Sequence, residues 1–210
     1  MGLHISKKFK GGNTLLIWKI EESPHFLYDL AELTPAELIR LQGIKSPEKQ
    51  MQWLAVRALL NSFAGQKTEI FYHPGGQPFL KSPIQISISH SADYVAILLN
   101  DKRNTGIDIQ KITANKIIRA KSYFINENEI KSFGDLQDIE MLHILWSIKE
   151  AGFKYCRNPA LNMKEDITVL PFVKDKTGLV TIHLFANDKT AESVDLHYEV
   201  WNGYTLVWTL

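Results

Sequence analysis

The sequence predicts an α+β fold built as two similar lobes, and three observations lead there. Each half carries segments of helical period followed by runs of period-2 alternation. The alternating runs are joined by short polar turns, as antiparallel strands are. No low-complexity linker interrupts the middle of the chain, so two closely packed lobes are expected, residues 1–105 and 106–210, each an antiparallel sheet packed with helices. No repeat is visible in the residues themselves, so the duplication is one of topology.

The elements follow in order. TLLIWKI, Thr14 to Ile20, reads as a short apolar strand. Thr34-Pro35-Ala36-Glu37 is a capping box with proline at the first helical position, which predicts a helix from Pro35 to Leu41. A second start at Ser46-Pro47 opens a longer helix. Met51, Leu54, Ala55, Ala58, Leu59 and Phe63 recur along it until Gly65, with Arg57 flanking the apolar stripe. YHPGGQPFL, Tyr72 to Leu80, is a turn leading into an edge strand. Ile84 to Ser89 and Tyr94 to Leu99 are two strands joined by the polar turn His90 to Asp93. Another short strand, TGIDIQKI, ends the first half. Asn126 and Glu129 form a capping pair for a short helix ending near Gly134, and a longer helix runs from about Leu136 to Cys156. ITVLPFV, LVTIHLFA, and the pair LHYEVWN and YTLVWTL around Asn202-Gly203 close the chain as strands.

Bulk properties exclude several classes of function. A net charge of +1 gives no general reason to expect nucleic acid, so any anion site must come from local clustering. Cys156 is the sole cysteine, which excludes an internal disulfide and a CxxC metal site and suits a reducing cytoplasm. No apolar run approaches a membrane span, and MGLHISKKFKGGN lacks the apolar core of a secretory signal. That stretch does fit the loose Met-Gly-x-x-x-Ser acylation pattern.

LWSIKEAGFKY, Leu145 to Tyr155, sets Lys149, Glu150 and Lys154 among large apolar side chains. Glu150 and Lys154 are four apart and share a helical face, as a solvated pair or as a charged site held against the core. In GIDIQ, alternation puts Ile107 and Ile109 on one face and Asp108 and Gln110 on the other. Asp108 is either the solvent-facing residue of that strand or the partner of Glu150. Two converging carboxylates suit a hard cation such as Mg²⁺, its other positions taken by water and phosphate. His90, where a strand turns, is a spectator or a ligand contact. Arg57 either snorkels from its helix or joins Lys45 and Lys49 in a phosphate pocket, where arginine offers a fork and lysine a point charge. Lys149 reads as solvated. The chain has no Gly-x-Ser-x-Gly elbow, no HExxH and no glycine-rich phosphate loop.

Taken in order, GQPFL, SISHS, GIDIQ and WSIKEAGFKY resemble the signature of the surfactin-type 4′-phosphopantetheinyl transferases, with Arg57 to Leu60 upstream also in place. The resemblance covers Gly76 to Lys154 and not clearly the first 40 or last 50 residues. It implies transfer of the phosphopantetheine arm of coenzyme A to a serine of an apo acyl or peptidyl carrier protein, releasing 3′,5′-ADP. It implies Asp108 and Glu150, with Gln110, holding Mg²⁺ (Mn²⁺ as the alternative), and Lys154 on the phosphates beside the scissile bond. Arg57 and His90 are implied to grip the 3′-phosphate of coenzyme A, with Ser89, Gln77 and Lys49 as further contacts. The implied architecture is a monomer of two α+β lobes with the active site between them. LWSIKEAGFKY is then apolar because it packs between lobes, with Trp146 and Phe153 as anchors.

Two positions depart from the family pattern. Gln110 stands where a glutamate is usual and removes one negative charge from the metal set; Gln77 stands where a lysine is usual. These glutamines are what supports the alternative, a non-catalytic homologue that binds coenzyme A or carrier protein. NKIIRAKSYF, Asn115 to Phe124, mixes Lys116, Arg119 and Lys121 with Ile117, Ile118 and Phe124. It is a half-solvated helix or a basic, apolar surface for an acidic carrier protein.

Overall fold

The structure is a computed structural model and describes residues 4–134, 136–185 and 191–210. The acylation pattern at Gly2 lies outside the described residues. The chain divides after Arg103 into two compact units.

In the N-terminal unit, β1 (His4–Lys8) and β2 (Thr14–Lys19) precede α1 (Pro24–Ala31), α2 (Pro35–Gln42) and α3 (Pro47–Ala64). The small hairpin β3 (Phe71–Tyr72) and β4 (Pro78–Phe79) follows, then β5 (Gln85–Ser91) and β6 (Tyr94–Asn100). The antiparallel sheet runs β1-β2-β6-β5. Leu16, Trp18, Val95 and Ile97 from this sheet share a core with Leu54, Ala58 and Leu59 of α3 and Leu27 of α1. Each helix opens on a side-chain cap followed by proline, at Ser23-Pro24, Thr34-Pro35 and Ser46-Pro47. The box at α2 is complete: Glu37 N–H donates to Thr34 Oγ1 (3.2 Å) and Thr34 N–H donates back to Glu37 Oε2 (3.0 Å). The expected turn at Tyr72–Leu80 is a two-stranded hairpin, closed by His73 N–H donating to Gln77 O.

In the C-terminal unit, β7 (Ile107–Lys111) leads to α4 (Ala114–Phe124), α5 (Glu127–Phe133) and α6 (Ile139–Cys156). Four strands follow, β8 (Ile167–Val169), β9 (Thr177–Phe185), β10 (Ala191–Trp201) and β11 (Tyr204–Thr209). The sheet runs β7-β11-β10-β9-β8, antiparallel throughout. β7 therefore does not end the first half. It pairs with the last strand, Asp108 opposite Val207 and Gln110 opposite Thr205. α6 buries Leu142, Leu145, Ile148 and Ala151 in a core with Ile167, Ile182, Leu196 and Val207 of its own sheet, which accounts for the apolar character of LWSIKEAGFKY. Trp146 and Phe153 pack against that same core, and Phe124 meets Trp146 edge-on with ring centroids 5.1 Å apart.

Candidate active site

In the N-terminal unit, three elements enclose a cavity of about 190 Å³. Trp53, Val56 and Arg57 come from one face of α3; Tyr72, Gly76 and Pro78 from the hairpin; Ile88 and His90 from β5. Arg57 does not snorkel. It is 2% exposed, its guanidinium carbon lies 3.1 Å from the centroid of the Trp53 ring, and its Nε donates to Glu37 Oε1 at 2.8 Å. Nη1 donates to Trp53 O at 3.2 Å, while Nη2 is buried and makes no hydrogen bond. A buried donor left in this state costs free energy unless an acceptor reaches it, so the cavity suits an anionic or oxygen-rich ligand.

His90 is an exposed residue of β5, and alternation turns the buried Ser89 to the other face. Gln77, half-buried, sits between the lining residues Gly76 and Pro78. Lys49 and Lys45 are exposed. Lys49 occupies the first turn of α3, one turn before Trp53 and outside the cavity lining.

In the C-terminal unit, β7 and α6 bring Asp108, Gln110, Glu150 and Lys154 together. Asp108 is not solvent-facing but 1% exposed, because its side of β7 lies beneath α6. Lys154 spans the gap: Nζ donates to Asp108 Oδ1 at 2.8 Å and to Ile107 O at 2.9 Å. Gln110 Nε2 approaches the same oxygen at 3.5 Å. The surface Glu150–Lys154 pair does not form. Burial pushes the Glu150 carboxyl above its ordinary value, the charge of Asp108 pushes it further, and Lys154 offsets part of this.

Two carboxylates held in mutual repulsion fit a hard divalent cation; Gln110 meets Asp108 through its Nε2, so its amide would have to turn over to offer an oxygen to such a cation. Among the described residues no group of three or more His, Cys, Asp or Glu could hold a metal.

The register of α6 on β7 is fixed by contacts within the motif. Ser147 Oγ hydrogen-bonds Thr205 Oγ1 at 2.8 Å, on β11 opposite Gln110. A Cβ on Gly106 would fall 1.9 Å from Ala151 O, so the strand start and the helix touch backbone to backbone. His143, two turns before Glu150, is buried with Nε2 3.0 Å from both N and O of Thr113, pinning the junction of β7 and α4. Burial draws its pKa down, against the Thr113 contact and the Asp108 charge. Sequence reasoning missed this residue. Its only signal was a histidine in an otherwise apolar helical turn.

Lys149 overturns the expectation that it is solvated. It is fully buried, with Nζ 2.9 Å from Glu129 Oε2, and it also donates to Phe124 O and Met163 O. Glu129 in turn accepts from Asn126 N and from Val169 N, each at 2.9 Å. Burial lowers the Lys149 pKa and the Glu129 charge counters it.

The profile of the 4′-phosphopantetheinyl transferase superfamily matches residues 104–209. The chain belongs to that superfamily. Within the match lie Asp108, Gln110, Glu150 and Lys154, whereas Arg57 and His90 fall outside it. The chain is 34% identical over 122 residues to the 4′-phosphopantetheinyl transferase AcpT of Escherichia coli O157:H7, covering 55% of this chain and 62% of that protein. It is 27% identical over 175 residues to the 4′-phosphopantetheinyl transferase HetI of Nostoc sp., covering 74% of each. With the 4′-phosphopantetheinyl transferase gsp of Aneurinibacillus migulanus it shares 30% over 133 residues, covering 61% of this chain and 52% of the relative. The residues of β7 and α6 that meet in this structure thus lie inside the matched segment. Among the described residues no helix is long and apolar enough to cross a membrane.

Proposed function

We propose that this protein transfers the 4′-phosphopantetheine arm of coenzyme A to a serine of an apo acyl or peptidyl carrier protein, releasing 3′,5′-ADP. The observation that carries this reading is the meeting of Asp108, Glu150 and Lys154 under one helix, with Glu150 strained toward its neutral form by burial and by Asp108. Asp108 and Glu150, helped by the amide of Gln110, would hold Mg²⁺ or Mn²⁺. That cation, when bound, would neutralise charge on the pyrophosphate oxygens. Lys154, partly exposed and paired with Asp108, would extend its ammonium to the phosphate beside the scissile bond. In the reaction the serine oxygen forms a new P–O bond, the bond to 3′,5′-ADP breaks, and the serine proton is released. Positioning and charge neutralisation are the main demands of such a transfer, and the nucleophile comes from the partner.

In the N-terminal unit, the Arg57 edge and His90 take the 3′-phosphate of coenzyme A, with Gln77 flanking; Ser89, expected as a further contact, is turned to the other face of β5 and takes no side-chain part. Lys49, exposed and outside the cavity lining, makes at most a peripheral contribution. For the carrier protein, α4 offers exposed Lys116 and Arg119 beside Ile118 (49% exposed) and Tyr123 (79% exposed), complementary to an acidic partner. Lys121 is committed to Leu136 O and takes no part. We place the protein in the cytoplasm, acting as a monomer.

The test is the intact mass of an apo carrier protein after incubation with this protein, coenzyme A and Mg²⁺. A gain of one phosphopantetheine, abolished by EDTA and by Glu150→Gln, is expected. Coenzyme A binding with no mass gain on several carrier proteins would replace this reading with the non-catalytic one and direct attention to Gln110.

A further inference from the structure

We infer that Glu37 is a positioning residue for the coenzyme A pocket: it clamps Arg57 so that the Nη2 edge is offered to the 3′-phosphate. The inference rests on the reading of that pocket given above. Glu37 lies on α2, outside the cavity lining, and belongs to no motif of the family resemblance. Its two oxygens have separate tasks. Oε2 accepts from Thr34 N–H at 3.0 Å and from Thr34 Oγ1 at 3.2 Å, which anchors the carboxylate to the start of its own helix. Oε1 accepts from Arg57 Nε at 2.8 Å, twenty residues away in sequence.

Guanidinium is planar, so fixing Nε on one side, stacking the plane on Trp53 and tying Nη1 to Trp53 O fixes the direction of Nη2 as well. Nη2 is the nitrogen without a hydrogen bond, on a side chain 2% exposed that lines the cavity. The carboxylate itself is held: burial alone would raise its pKa, but the Thr34 N–H and Arg57 outweigh it and keep it below the ordinary carboxylate value. Without Glu37 the fork keeps only its Trp53 contacts and loses the bond that fixes Nε, so a phosphate would have to complete its ordering on binding.

The experiment compares affinity for coenzyme A and for dephospho-coenzyme A, measured by calorimetry on the full chain, in wild type, Arg57→Ala, Glu37→Ala, Glu37→Gln and Thr34→Ala. A charge-assisted hydrogen bond sets the scale at roughly tenfold. Glu37→Ala is expected to weaken coenzyme A roughly tenfold and leave dephospho-coenzyme A unchanged, following Arg57→Ala in kind. Glu37→Gln keeps an oxygen for Arg57 Nε and should retain most of the preference. Thr34→Ala removes the cap hydroxyl but spares both backbone and Arg57 contacts to the carboxylate, so it should lower stability without changing the preference. If Glu37→Ala weakens both ligands equally, or strengthens coenzyme A, the clamp is wrong while the Arg57 reading stands. If Arg57→Ala itself leaves the preference intact, the pocket reading fails and the inference falls with it.

Discussion

Replacing Gly106 by alanine adds one methyl group where the structure has no room for it. The new Cβ would lie 1.9 Å from Ala151 O, 2.8 Å from Ala151 C and 3.0 Å from Tyr155 N, all backbone atoms of α6 that no rotamer change can move aside. To reach even 3.0 Å from that oxygen, the start of β7 must recede by about 1.1 Å. Gly106 is also tied to the neighbouring strand β11, its N–H donating to Thr209 Oγ1 and its carbonyl accepting from Thr209 N–H, each at 3.0 Å. The displacement therefore falls on the gap between β7 and α6. That gap is spanned by Lys154 at 2.8 Å from Asp108, a contact that would open to about 3.9 Å. Overpacking of this kind costs about 1–3 kcal/mol. A misplacement near 1 Å at a reacting centre costs on the order of 10²-fold in rate. Urea unfolding supplies the first number, and the rate of carrier-protein mass gain, scaled to folded enzyme, supplies the second. Gly203→Ala is the comparison. Gly203 has φ 77° and nothing within 4 Å of an added Cβ, so alanine there strains a turn without touching β7. Activity within threefold of wild type for Gly106→Ala, with a stability loss under about 0.5 kcal/mol, would refute the claim that backbone contact sets the Asp108–Lys154 geometry.

Three further outcomes are expected. Lys149→Met should cost about 3–5 kcal/mol in urea unfolding, because it leaves Glu129 buried and uncompensated; adding Glu129→Gln should recover part of the loss. Glu150 has its pKa raised above the ordinary 4.5, so the protein gives up stability as pH rises through that higher value and the carboxylate ionises. Glu150→Gln should accordingly raise metal-free stability at about pH 8, have little effect at about pH 4, and abolish stabilisation by Mg²⁺. Arg119→Glu should raise the KM for carrier protein several-fold with coenzyme A affinity unaltered; unchanged kinetics would remove α4 from the docking surface.

Local chemistry was legible in the sequence and long-range chemistry was not. The capping boxes at Thr34 and Asn126 form as read, because their partners lie three residues apart and no tertiary context is needed. The β-strand alternations held for the same reason. The missing elements were weak locally: HISKK of β1 is too polar to read as a strand, and α1 announced itself only by Ser23-Pro24. Asp108 was ambiguous because alternation assigns side chains to two faces without saying which face a helix will cover. Lys149 was misjudged, and Arg57 stayed open between snorkelling and a phosphate pocket, because a cation in a helix reads as solvated until its anion is known. Each anion lay on another helix, where it had already been read as a cap.

Those two cations share a plan. Arg57 and Lys149 each sit in an 18-residue helix, and each pairs with the capping-box glutamate of a preceding short helix, Glu37 on α2 and Glu129 on α5. The duplicated topology that residue identity conceals thus survives as a repeated ion pair. Its two copies have different consequences, set by the chemistry of the cation. An ammonium has three donors, and Lys149 directs all three inward, to Glu129, Phe124 O and Met163 O. It is spent on folding. A guanidinium has five donors in a plane, so Arg57 can satisfy Glu37 and Trp53 O and still keep Nη2 without a protein partner on a side chain that lines a cavity. Arg57→Lys should therefore convert the N-terminal copy into the purely structural kind, keeping the fold while losing the preference for coenzyme A over its dephospho form. Retention of that preference by the lysine variant would mean that charge alone, and not the fork, is what the pocket requires.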